Sequence, residues 1–143
     1  MKVRIEQVRG LQEPEAVIRT ETVTEGILRA AALLRGGVLN GYRENEVTRL
    51  PTEEILRIYA ERQKVYAETA EGIYQLRQRL YALEEELDKR TFLRISNSEI
   101  VNSAAILRLD ISLTGTIGVE LRHGIRTYAS RRYVKKIKEF LEL

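Results

Sequence analysis

No cysteine occurs in the 143 residues, which excludes disulfides, thiolate metal sites and thiol catalysis together. Histidine is nearly as scarce. His123 stands alone, and one imidazole without a partner makes neither a metal site nor a catalytic pair. No apolar run approaches the roughly 20 residues that cross a bilayer, and the first ten residues alternate charged and apolar side chains instead of forming a signal-peptide core. A cytoplasmic protein without membrane insertion is therefore expected. Phosphate loops are missing as well: no Lys-Ser or Lys-Thr follows Gly36-Gly37 or the stretch 115–118, and no GxGxxG occurs. Glu84, Glu85 and Glu86 are consecutive on an expected helix, so they point in different directions and form a solvated face, not a metal or acid–base site. With no nucleophile beside a base, the expectation is no enzyme, no catalytic residue, no metal and no cofactor.

What is present is an ordinary globular composition, 43% hydrophobic and 31% charged, at a length that supports one good core and not two ordinary domains. The net charge is only +3, but it is unevenly spread. Residues 1–88 carry 13 Lys and Arg against 16 Asp and Glu, whereas residues 89–143 carry 11 against 5. Basic potential gathers in the last third, as expected of a surface that tracks phosphates.

Along the chain, residues 2–8 alternate as a half-buried strand would, with Val3 and Ile5 on one face, and 16–20 forms a plausible second strand after Pro14. Thr22 and Glu25 are spaced as a capping box ahead of Ile27, Leu28, Ala31 and Leu34, a helix that Gly36-Gly37 stops. This opening unit, residues 1–37, has no linker after it and is expected to pack on the remainder, 38–143. Hairpins are expected across Glu44-Asn45 and across Arg62-Gln63. Leu76, Leu80, Leu83 and Leu87 recur at helical spacing, and strand patterns return at 106–111, 117–121 and 125–129 before a terminal helix from Arg131 to about Leu141.

Two segments of the last third carry recognition chemistry. In Arg94-Ile95-Ser96-Asn97-Ser98-Glu99-Ile100-Val101-Asn102, an amide and two hydroxyls share one polar turn. Asn is a geometric match to an adenine edge, although Ser96, Asn97 or Ser98 can equally serve as a turn cap. In Ser130-Arg131-Arg132-Tyr133-Val134-Lys135-Lys136-Ile137-Lys138, two arginines open a helix, where the dipole disfavours cations. A phosphate-bearing partner would account for them.

These two segments, with Leu50-Pro51-Thr52-Glu53-Glu54-Ile55, Gln63-Lys64-Val65-Tyr66-Ala67 and the leucine-spaced stretch 80–87 in that order, resemble the LytTR family of DNA-binding domains over roughly residues 38–143. The resemblance implies an α+β, β-rich fold: an elongated multi-stranded β domain with short helices, here preceded by the strand, strand, helix unit. It also implies a transcriptional regulator that reads successive major grooves of double-stranded DNA with loops. The whole chain resembles the small single-chain members that lack a receiver domain. By position the resemblance makes Asn97, Arg132 and Gln63 the base readers; the last departs from relatives that carry histidine there. Arg131, Arg62, Arg94, Ser96, Ser98, Lys135 and Lys136 are the corresponding phosphate candidates, with an ion pair to Glu99 as the competing role for Arg94. Family habit further implies paired repeats in the DNA, a homodimer at least on DNA, and a small membrane protein as partner. The alternative is a dimerisation or protein-docking module with only non-specific DNA binding. Single-stranded RNA would call for exposed aromatic platforms, and Tyr59, Tyr66 and Tyr74 instead fall in strand patterns.

Overall fold

The computed structural model describes residues 1–112 and 114–143. Its order is α1 (Glu25–Gly36), β1 (Val38–Arg43), β2 (Glu46–Pro51), β3 (Ile55–Glu61), β4 (Lys64–Thr69), β5 (Gly72–Leu76), α2 (Leu80–Glu86), β6 (Phe92–Ser96) and β7 (Glu99–Asn102). It continues with β8 (Ile106–Asp110), β9 (Ile117–Leu121), β10 (Ile125–Ala129), a 3-10 turn at Arg131–Tyr133 and α3 (Val134–Phe140). Seven strands form one antiparallel sheet in the order β2-β1-β5-β4-β3-β7-β6, and β10-β9-β8 form a second. The β-rich architecture with short helices is the one expected.

Two cores explain why the central strands read as near-continuous apolar runs. Leu80, Leu83 and Leu87 press one face of the large sheet at Ile58, Tyr74, Phe92 and Ile100. On the other face Leu56, Leu93, Ile95 and Val101 meet Ile117, Val119, Leu121, Ala129 and Ile137 of the second sheet and α3. Strands β3, β6 and β7 are thus buried on both faces, which suits consecutive apolar residues better than strict alternation. Asn102 closes its motif as a structural residue. Its Nδ2 donates to the Ile55 carbonyl at 3.0 Å while its Oδ1 accepts from Ala104 N at 3.0 Å, which satisfies a buried amide.

Several expectations change. Residues 2–8 and 16–20 form no strand; residues 1–24 carry neither helix nor strand. Alternation alone does not make a strand, because its backbone groups and apolar face both need a partner. Val3 and Ile5 remain 83% and 93% exposed. The helix does form, but Thr24 and not Thr22 caps it, accepting from Ile27 N at 3.3 Å. Only part of its apolar face is covered: Ala32 is buried, whereas Leu28 and Leu34 are exposed. In the first hairpin the positive φ falls on Glu44. Leu76 belongs to β5, paired with Val65, and the helix expected from it begins only at Leu80. The 3.6-residue leucine spacing ran across the strand-to-helix junction because both elements bury leucine in the same core.

Candidate nucleic-acid interface

Sheet register carries three expected reading points to one end of the molecule. Strand β3 rises through Tyr59 and Ala60 to the Arg62-Gln63 tip, and β7 leaves the Asn97-Ser98 turn beside it, with Tyr59 opposite Glu99 and Ala60 N donating to the Ser98 carbonyl at 2.8 Å. From the second sheet, Ser130 N donates to the Ile95 carbonyl at 2.9 Å, which seats the Arg131–Tyr133 turn against the end of β6.

The Gln63 tip is a two-residue hairpin loop with φ of 50° at Arg62 and 67° at Gln63. Both values are left-handed, as a type I′ turn requires, and neither residue is the glycine or asparagine that adopts them cheaply. Both side chains are exposed. Below them Tyr59 and Tyr66 pair across the hairpin with ring centroids 5.5 Å apart, half-buried and stiffening the stem. Tyr74 is core.

At the second tip Asn97 and Ser98 are exposed and the surrounding bonds are local. Ser96 Oγ accepts from Ser98 N at 3.2 Å and lies 3.3 Å from Ser98 Oγ, so the two hydroxyls close the turn. Arg94 holds it from beneath. Its Nε donates to the Ser96 carbonyl and an Nη to the Asn97 carbonyl, both at 2.6 Å, while the other Nη reaches Glu84 Oε2 at 2.8 Å. The Arg94 side chain is only 12% exposed, so most of its donors serve the turn and little is left for a phosphate. Its carboxylate partner is Glu84, not Glu99, and Glu84 is accordingly more than part of a solvated face.

Glu99 has a different role. Its Oε1 accepts from Thr127 Oγ1 of β10 at 2.8 Å, and its Oε2, buried and without a hydrogen bond, lies 3.5 Å from an Nη of Arg57 of β3. Arg57 in turn donates from Nε to Glu68 of β4 at 2.7 Å. One carboxylate thus ties together the strands that carry all three tips. Burial pushes its pKa above the ordinary carboxylate value, against the opposing pull of the Thr127 hydroxyl and the Arg57 charge.

At the third point the chain does not enter an α-helix directly. Arg131 and Arg132 lie in the 3-10 turn, and the α-helical part is the seven-residue α3. Both arginines are exposed. Arg131 lies along the loop between β8 and β9, where a side chain at Gly115 would meet its Nε at 2.6 Å. Lys135 and Lys136 are exposed on α3 while Ile137 is buried beneath them. Tyr133, to which sequence reasoning assigned nothing, donates from its hydroxyl to Asn97 Oδ1 at 3.2 Å, and the Arg132 guanidinium stands 5.9 Å from its ring centre. A contact between residues 36 apart leaves no signal in spacing. Its only hint was adjacency to Arg132.

Among the described residues no group of His, Asp and Glu could hold a metal ion, and no helix is long and apolar enough to cross a membrane. The model of the LytTr DNA-binding domain family matches residues 45–142. An uncharacterized HTH-type transcriptional regulator of Staphylococcus aureus strain NCTC 8325 is 37% identical over 105 residues, 73% of this chain and 71% of the relative. Its counterpart in strain MRSA252 is 36% identical over the same length. The solved LytTr DNA-binding domain of a Bacillus cereus methyl-accepting/DNA response regulator superposes with a TM-score of 0.72 at 22% identity, covering 74% of this chain and 97% of that one; it speaks for the fold. The chain belongs to the LytTR family and is a DNA-binding regulator, not an enzyme.

Proposed function

We propose that the protein is a sequence-specific transcriptional regulator that reads successive major grooves of double-stranded DNA through three tips. Gln63, Asn97 and Arg132 read base edges, while Arg62, Arg131, Lys135 and Lys136 hold phosphates and the Ser96 and Ser98 hydroxyls add polar contacts at the middle tip. The observation that carries this reading is the convergence of those three tips at one end of the sheets. An amide and a guanidinium are the side-chain groups that match adenine and guanine edges in two places at once. The left-handed backbone at Arg62 and Gln63 adds support, because long polar side chains there replace cheaper turn residues. Arg94 acts from inside, by shaping the Asn97 turn.

Binding of a defined duplex in competition with random duplex tests the assignment. Asn97→Ala and Arg132→Ala should each lower the preference roughly ten- to a hundredfold with little change in affinity for random DNA. Lys135→Ala should instead weaken both duplexes alike and make the salt dependence shallower by about one counterion. An unchanged preference in both reader variants would refute the assignment.

A second reading, homodimerisation through residues 1–37, has its own support. Met1, Val3, Ile5, Val8, Val17 and Leu34 are exposed, apolar side chains that a second protomer would cover. Two protomers side by side would suit paired repeats, and a small membrane-protein partner would use the same surface. A DNA target calls for a cytoplasmic location. Replacing Val3 and Ile5 together by Glu should convert a dimer to monomer in sedimentation analysis with the far-UV circular dichroism spectrum unchanged; an unchanged mass would count against the role.

A further inference from the structure

We propose that Tyr133 is a specificity-determining residue: its hydroxyl holds the Asn97 amide in place for the base that it reads. This rests on the DNA-reading proposal above. An exposed asparagine samples several rotamers, and its amide meets two groups of a base edge at once only when it is held in place. Here the amide is held from outside the turn. The Tyr133 hydroxyl donates to Asn97 Oδ1 at 3.2 Å, which leaves the Nδ2 donors and the second Oδ1 lone pair for the donor–acceptor pattern of adenine.

The tyrosine is well placed to hold that orientation. Its ring is partly buried against the second core, and its backbone N donates to the Ser130 carbonyl at 2.9 Å, one residue from the Ser130–Ile95 bond that anchors the turn to β6. Arg132, next in the chain, keeps its guanidinium within the distance at which a cation is attracted to an aromatic face. The hydroxyl end of one side chain therefore sets Asn97 and its ring steadies Arg132.

Tyr133→Phe removes the hydroxyl and keeps the ring. Full-length wild type and variant are each used to select sites from a random duplex pool, with melting temperature and salt dependence measured alongside. The expected result is a roughly three- to tenfold loss of preference at the one position read by Asn97, with the other positions, the melting temperature and the salt slope unchanged. Placed on Asn97→Ala, the same substitution should change nothing further. A variant motif identical to the wild-type motif at every position would overturn the proposal, as would an equal weakening at all positions or a further loss in the Asn97→Ala background. A wild-type protein that selects no motif would overturn the DNA-reading proposal, and this one with it, and is distinguishable from those outcomes.

Discussion

Glu99 shows how a single side chain can be placed against its own solvation preference for the sake of geometry. Its carboxylate is buried between three strands, with Thr127 and Arg57 as its polar company. Because burial raises its pKa in the folded protein, the folded state holds the proton more tightly than the unfolded chain does. Its contribution to stability is therefore fully present below the ordinary carboxylate value and is lost as pH rises through the raised one. Glu99→Gln keeps an acceptor for Thr127 and removes the titration. Urea denaturation between about pH 4 and 7 should show the wild type losing stability relative to this variant as pH rises; a difference independent of pH would contradict the assigned shift. None of this was visible in the sequence, where Glu99 stood only as a competing partner for Arg94. The polar turn itself was legible, because Ser-Asn-Ser between apolar runs has few other uses. What Arg94 does there was not, since its bonds run to carbonyls and to a glutamate on another element.

Among elements, the hairpins were the most legible, because polar pairs at 44–45 and 62–63 interrupt strand patterns at the spacing of two-residue loops. Strand β5 and the true start of α2 were not, since a leucine spacing close to 3.6 continues across a junction when strand and helix face one core. The N-terminal alternation at residues 2–8 was legible as a pattern and misleading as an element. Nothing among the described residues covers it, and a strand is a relation between two segments. If a second protomer supplies the missing partner, amide hydrogen exchange at residues 2–8 should slow with rising protein concentration, while exchange in β3 and β7 stays the same. Concentration-independent exchange in residues 2–8 would leave the dimer proposal without its physical basis. Strands β3 and β7 should exchange slowest, since both are internal to the sheet and buried on both faces.

Over the whole molecule, the two sheets hold three exposed tips at one end, while the net positive charge lies in residues 89–143, with 11 Lys and Arg against 5 Asp and Glu. Phosphate contacts by such a surface raise affinity for any duplex and fade steeply with salt, whereas base contacts discriminate by roughly 1–3 kcal/mol each and are far less salt-sensitive. The two contributions can therefore be separated in one experiment. Selection of sites by the purified full-length protein from a random duplex pool, at two salt concentrations, tests sequence-specific reading most directly. The expected result is a spaced, repeated motif that persists at the higher salt. Recovery of only salt-sensitive binding with no sequence preference would contradict it.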